Sequence, residues 1–359
     1  MIPDSHLLLL AAAILLASGG TILGHIQSQK LSEIFVPILI LGGFGLGAVF
    51  IPHPYQNVCV FGVIGFSAYG LTHRWEPSFQ HAVSLGHLAL AAIFCITGLF
   101  SQDEVYVVET VFLAMTFLPL APFHLPFVSV LRTSHEAVSG LWMVVWLTIG
   151  LLQLQTLNES FPFEYSKILN LVALGSALYA SLKALGQSTL VLSLAYLTVA
   201  FLSLLWSLLS LLGVLANWTI PFGLAIGFVL GALLLGYSYV CQRYGPHGLR
   251  SLQGLGSGMP RFRSLMTLVI SLAVLLPIIP VTLGLSSMPA GHHGEGSMFL
   301  IFLLLMTVWM CSSWHLTLIL DQTAFGKART DIVHVDLQIH EVVAMGLFLV
   351  AAGLWGVLT

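Results

Sequence analysis

The chain has 359 residues, of which 58% are hydrophobic and only 7% charged, against roughly a quarter charged in an ordinary soluble domain. Eleven Lys plus Arg and fourteen Asp plus Glu cannot cover a soluble globule of this size, which excludes a soluble enzyme and a disordered chain. The formal net charge of −3 leaves no basic surface for nucleic acid, so the composition describes a polytopic helical protein of the lipid bilayer.

A helix that crosses the hydrocarbon needs roughly 20 mostly apolar residues, because no water is present there to satisfy its backbone. By that rule the first six spans run near His6–Gly24, Phe35–Ile51, Val58–Leu71, Ala82–Phe100, Tyr106–Val130 and Ala137–Leu154. The next six run near Ile168–Leu185, Leu190–Leu212, Ile220–Cys241, Leu265–Ser286, Met298–Leu320 and Leu337–Leu358. The expectation is an all-α bundle of about twelve transmembrane helices with at least one broken helix. The third span is short enough to be tilted or re-entrant. The first lacks the basic flank of a signal peptide, since Asp4 is its only charge before Lys30, and reads as a retained helix. Cys59, Cys95, Cys241 and Cys311 are scattered through apolar stretches and read as small hydrophobic residues, neither a disulfide framework nor a metal set.

Alternate loops carry Lys30, Arg74, Arg132, Arg243, Arg250, Arg261, Arg263, Lys327 and Arg329. The opposite set holds Lys167 with Asp103, Glu104, Glu159, Glu164 and Glu295. The positive-inside rule then makes the basic loops cytoplasmic and puts both termini on the non-cytoplasmic side of a plasma (cell inner) membrane.

Ionisable groups inside a bilayer are costly, so each is a candidate for function. Here they are Glu109, His124, Glu136, Lys183 and His315, with His87 and His135 beside them. Pro119 and Pro122 fall inside the fifth span and Pro126 follows. Proline removes a donor and clashes with the preceding turn, so this helix should break beside His124, leaving carbonyls for side chains or water to satisfy. Broken helices bearing polar groups recur where ions pass. Structural readings stand beside these: a buried imidazole as an interhelical hydrogen-bonder, Glu109 solvated near the outer interface, Lys183 snorkelling, and Glu136 paired with Arg132 four residues earlier. Pro277 and Pro280 read as kinks, Trp309 and Trp314 as packing aromatics, and His292-His293 as part of a Gly-rich loop. No Rossmann glycine pattern, P-loop, HExxH or CxxCH is present, and no catalytic, cofactor or metal site is expected. Fourteen histidines raise the question of haem, but only His87, His124 and His315 lie inside spans and no same-helix pair has the needed spacing.

Six stretches in order resemble one family. Leu118-Pro119-Leu120-Ala121-Pro122-Phe123-His124 resembles the broken-helix motif, roughly K-x-P-x-x-P-x-H, of the antiporter-like subunits of respiratory complex I, a superfamily shared with Mrp cation/proton antiporters and membrane-bound hydrogenases. His135-Glu136-Ala137 with Ser139 is similar to the segment that follows it there. The run from Leu178-Tyr179-Ala180 through Gln187 to Leu194-Ala195-Tyr196, then Leu252-Gln253-Gly254-Leu255 with Met259-Pro260, Phe325-Gly326-Lys327, and Asp336-Leu337 with His340-Glu341 complete the likeness. It covers residues 105–359, an antiporter-like bundle. Residues 1–104 form N-terminal transmembrane helices without a match. Such members usually have about fourteen core helices, so the N-terminal part is expected to be shortened.

The resemblance implies a membrane subunit of a multisubunit complex that translocates protons or Na⁺, or couples a cation gradient to a partner. It implies other membrane and cytoplasmic subunits as partners. The departures imply an alternative. Phe117 stands where the motif has lysine, no lysine follows in Leu141–Leu152, and Thr189, Leu190 and Val191 replace D-x-K. A non-conducting anchor for a cytoplasmic partner, as in inorganic-carbon uptake or a respiratory complex, fits those losses. For conduction, the path candidates are His124, Glu136, Lys183, His315, Glu109 and His135, and the expectation to be met is a wet, broken helix with the imidazole facing protein rather than acyl chains.

Overall fold

A computed structural model describes residues 5–26, 31–73, 78–100, 104–157, 166–212, 218–245, 253–278, 295–326 and 333–357. Among them are fourteen α-helices and no strand. In chain order they are α1 (Ser5–Gly24), α2 (Leu31–Phe50), α3 (Gln56–His73), α4 (Phe79–Thr97), α5 (Glu104–Phe117), α6 (Leu125–Thr133) and α7 (Ser139–Thr156). Then follow α8 (Ser166–Leu185), α9 (Leu190–Leu212), α10 (Thr219–Tyr244), the short α11 (Leu255–Gly258), α12 (Pro260–Leu275), α13 (Glu295–Leu320) and α14 (Ile339–Val357). Seven described helices are long and apolar enough to cross a membrane alone, and Ile34–Phe50, Val107–Phe117 and Ile339–Leu354 are shorter apolar helices.

Each span read from the sequence has a helical counterpart, with differences at the third and tenth and, at the fifth, the break expected at Pro119 and Pro122. The third is a regular helix of 18 residues, Gln56–His73, rather than a re-entrant turn. The fifth is two helices, α5 and α6, separated by a turn. The tenth starts five residues early, at Pro260, because proline's fixed φ suits a first helical turn. It stops at Leu275, where Pro277 cannot continue the ladder. The indole of Trp309 donates to the Val274 carbonyl at 3.0 Å, closing that end; this residue is thus more than a packing aromatic. Pro280 and His292-His293 lie outside the described residues. Cys59, Cys95 and Cys241 are buried in the apolar core.

Two helices form the centre. Every residue of α7 from Ser139 to Leu154 and of α10 from Thr219 to Cys241 is buried. A helix that is apolar all round is stable only where other helices surround it. Their backbones meet where Gly140 faces Gly231: a Cβ on Gly140 would stand 2.9 Å from the Gly231 carbonyl oxygen. Small residues permit such approach in membranes, where dispersion and hydrogen bonding drive helix association. Around this pair, α1 and α14 pack on one side, and α5 and α9 on others. The outer helices turn Phe79, Ile93, Leu303, Met310 and Trp314 outward, exposed as lipid-facing side chains are.

Candidate functional site

The break between α5 and α6 can be accounted for group by group. In a continuous helix, residues 119 to 122 would donate to the carbonyls of residues 115 to 118. Pro119 and Pro122 have no N–H to give. The Leu120 N–H instead reaches the Met115 carbonyl at 3.3 Å. Trp146 on α7 donates to the freed Thr116 carbonyl at 3.2 Å, and Trp206 on α9 to the freed Leu118 carbonyl at 2.9 Å. The Ala121 N–H donates to Ser176 Oγ on α8 at 2.9 Å, and Ser176 lies 2.9 Å from Ser203 on α9. Neighbouring helices thus supply what the prolines removed, the condition for irregular backbone at membrane depth. Gly150 lets α7 come this close, since its Cβ would lie 2.9 Å from the Leu118 nitrogen.

His124 occupies the N-cap position of α6, but its side chain caps nothing. Only 5% of it is exposed, and neither ring nitrogen has a hydrogen-bond partner within the protein. It faces Tyr179 of α8 edge-on at 5.7 Å between ring centroids and Tyr196 of α9 at 6.1 Å. The imidazole is enclosed by protein rather than turned to the outer surface of the bundle. Tyr196 also lines a cavity of about 210 Å³, whose walls include Gln80, His81, Ser129, Arg132, Lys183 and Gln187. Polar walls and a volume of this size admit several waters. Three residues before Tyr196, on the same face of α9, Ser193 Oγ hydrogen-bonds Nε2 of the buried His315 from α13. One helix, α9, therefore carries polar groups beside the break, at the cavity and against His315.

The other sequence candidates are placed differently. Lys183 is exposed at the cavity, two residues before α8 ends; the snorkelling geometry describes it better than a deep position. Glu136 lies in a one-turn 3₁₀ helix, Glu136–Val138, because α6 stops at Thr133 and Ser134 is extended. It is not four residues along the same helix from Arg132. His135 caps that turn by accepting from the Ala137 N–H at 3.3 Å and borders a second, mainly apolar cavity of about 590 Å³ between α2, α3, α6 and α7. Glu109 is 4% exposed, not solvated, and approaches Asn57 where α4 ends at Gly98: a Cβ there would stand 2.8 Å from Asn57 Nδ2 and 3.3 Å from Glu109 Oε2. His87 is half-buried and stacks obliquely on Phe123 at 5.9 Å. Phe117, where the resemblance has lysine, is fully buried on Trp146 at 4.4 Å.

Two features were missed in the sequence. Tyr179 and Tyr196 were read only as letters of a motif, although phenols inside spans are themselves a signal. The second is an ionic knot at the ends of α1, α10 and α14. Arg243 pairs with Glu341 at 2.5 Å with both side chains largely buried. Glu341 also accepts the Gln338 N–H at 2.7 Å, and Asp336 caps α12 through the N–H groups of Arg261 and Phe262 at 3.0 and 3.2 Å. His25 lies 5.3 Å from Tyr239 within the same region. The Asp336 to Glu341 spacing noted from the resemblance is thus a structural fastening.

No family model matches the sequence, and no curated protein matches it by sequence. Solved structures do match by shape. A chain of respiratory complex I from Thermus thermophilus with bound NADH superposes with a TM-score of 0.73 at 16% identity, over 97% of this chain and 81% of that one. A chain of the Mrp complex from Dietzia sp. DQ12-45-1b gives 0.73 at 14% identity, over 98% and 80%. A chain of T. thermophilus complex I with bound aureothin gives 0.72 at 17%, over 99% and 85%. The likeness shows the fold: this is an all-helical membrane chain with the architecture found in those two assemblies.

Proposed function

We propose that this chain is a proton-translocating membrane subunit of a larger complex. The observation that carries the reading is the buried, unpartnered imidazole of His124 at the helix break, facing Tyr179 and Tyr196, with the polar cavity beyond Tyr196. An imidazole can accept a proton at one ring nitrogen while releasing one from the other, and phenols and enclosed water extend its reach. In this reading the route runs from the Lys183 cavity past Tyr196 to His124, and through Ser193 to His315. Glu136 and His135, held in the turn before α7, and Glu109, across the bundle, lie off it. The ion is a proton rather than Na⁺, since two of the groups on this route, His124 and His315, are imidazoles, which carry protons and are poor ligands for a hard cation. By the positive-inside rule, the Lys183 cavity opens to the cytoplasm of a bacterial-type plasma membrane and both termini lie outside.

The test is proton flux in liposomes containing the intact complex. His124→Phe and Tyr196→Phe are each expected to cut flux by about tenfold or more, the scale of losing a positioned proton-transfer group. Unchanged flux in both removes the route.

A second reading has its own observation: Phe117 packs on Trp146 where the resemblance has a lysine. It makes the chain an anchor whose basic end docks a cytoplasmic partner. Complex assembly that persists while wild-type liposomes show no flux favours this reading.

A further inference from the structure

The antiparallel helices α2 and α3 close on each other at one end. A Cβ on Gly47 would stand 2.7 Å from Cys59 Sγ, and one on Gly62 would stand 2.7 Å from the Phe44 ring. Continued toward the start of α2, the same register sets Ile40 opposite Phe66, Pro37 opposite Tyr69 and Val36 opposite Gly70. Those six residues instead line the cavity of about 590 Å³ that α6 and α7 also border. A Cβ on Gly70 would meet nothing within 4 Å. Pro37 lies inside α2, where a missing N–H and a crowded turn bend a helix. The two helices therefore form a wedge, closed at Gly47 and open at Val36 and Gly70.

The floor of the wedge is mainly apolar, and the polar groups there already hold partners. Leu41, Val130, Val138 and Trp142 are buried in it, and the Trp142 indole donates to Ser67 Oγ at 3.1 Å. Thr133 and Ser134 donate to the Ser129 and Leu131 carbonyls of α6 at 3.1 and 3.0 Å. Water persists only where it finds two to four polar partners, so such a floor suits an apolar ligand. The mouth is different. Val36 is 55% and Tyr69 63% exposed, so the wedge opens between α2 and α3 on the outer surface, where lipid lies. Tyr69 stacks on His73 at 5.7 Å, and both line this mouth. His135, also in the wall, accepts the Ala137 N–H at Nδ1, which places the proton of the neutral ring on Nε2 as a donor. A phenol and imidazoles at the membrane edge match the ester oxygens of a lipid, and the apolar floor matches its chain. From His73 to Phe66 the wedge follows two turns of α3, about 10 Å of chain path. We propose that this wedge binds one acyl chain of a membrane phospholipid, with its ester oxygens at the rim of Tyr69, His73 and His135.

Labelling is measured without transport, so it stands or falls separately from the proton route. The complete protein is placed in phosphatidylcholine nanodiscs doped with a phosphatidylcholine that carries a diazirine midway along one acyl chain. After irradiation, adducts are mapped by peptide mass spectrometry. Any bilayer lipid labels the exposed Leu39 and Phe61, but an adduct on the buried Leu41, Ser67 or Trp142 requires a chain inside the wedge. Such floor adducts are expected in the wild type. Gly70→Leu fills the mouth from α3 and Ile40→Trp from α2. Each should cut floor labelling by about tenfold or more, the scale of losing two methylene contacts, with Leu39 labelling unchanged as the check on folding. Gly65→Leu adds the same bulk on the exposed face of α3, where a Cβ also meets nothing within 4 Å, and should label as the wild type does. Adducts confined to exposed positions, or floor labelling undiminished in both filled variants, overturn the proposal. Floor labelling by a diazirine fatty acid but not by the phospholipid overturns it as well, since the occupant would then be a free acid.

Discussion

Replacing Trp206 by Phe tests how the broken helix is held. Pro122 leaves the Leu118 carbonyl without a helical donor, and the Trp206 indole fills that role at 2.9 Å from a fully buried position. Phenylalanine keeps most of the ring but has no N–H. The carbonyl is then unsatisfied in a dry interior, which costs about 1–3 kcal/mol, and the lost ring volume costs about 1 kcal/mol more. Trp142→Phe is the matched control. Trp142 is also buried and donates at 3.1 Å, but to Ser67 Oγ, a hydroxyl whose own O–H can still donate when the indole is gone, unlike a carbonyl, which can only accept. The volume loss is common to both variants, so their difference isolates the carbonyl. Reversible unfolding of the protein in bicelles should find Trp206→Phe less stable than Trp142→Phe by at least about 1 kcal/mol, roughly fivefold in the unfolding constant. Equal destabilisation would refute the claim that indole donors replace the helical ladder.

Gly150→Ala puts a methyl 2.6 Å from Leu118 Cγ and 2.9 Å from the Leu118 nitrogen; it should destabilise by about 1–3 kcal/mol, while Gly175→Ala, which meets open space, leaves thermal melting unchanged. Glu341→Gln or Arg243→Gln strands the other charge of the 2.5 Å pair and should cost about 3 kcal/mol each. The double variant should lose clearly less than the sum, as a double-mutant cycle on the melting transition reports. Phe117→Lys, with Phe117→Met as neutral control, buries an ammonium against Trp146; it should lower the melting temperature at pH 7 and recover part of that loss at pH 10, where a desolvated lysine sheds its proton.

The spans and the break were legible because each follows from a local property: apolar length for the helices, two missing N–H groups for the interruption. What was not legible depends on pairs far apart in the chain. Trp206 lies 88 residues from the carbonyl it satisfies and Glu341 lies 98 from Arg243, and nothing in either neighbourhood announces the partner. Lys183 looked deep because it falls within an apolar run, yet α8 ends at Leu185 and a long flexible side chain reaches out from there. Glu136 looked like a helical neighbour of Arg132 because a spacing of four is read as one turn; the helix stops at Thr133, and the spacing loses that meaning. His124 was identified by its place beside the prolines, whereas its setting between Tyr179 and Tyr196 needed the packing of α8 and α9.

The walls of the break are chemically unlike, and that difference bears on where charge can move. On the α7 side Phe117 stacks on Trp146, Trp146 on Trp142 at 4.6 Å, and Trp142 on Phe127 at 5.4 Å. This aromatic wall gives water few partners, and its indole N–H groups are already committed to Thr116 and Ser67. On the opposite side α8 and α9 present Ser176, Tyr179, Ser193, Tyr196 and Ser203, all within helices that also bound the cavity or the break. Water needs two to four polar partners to persist inside a protein, so any water reaching the break would be held by the α8–α9 wall. The positions where the resemblance has lysines, Phe117 and the α7 interior, lie on the aromatic wall. The aromatic packing and the absence of lysine at these positions therefore go together: a lysine against Trp146 would find few partners for its charge, whereas His124 is turned toward Tyr179 and Tyr196 on the polar wall.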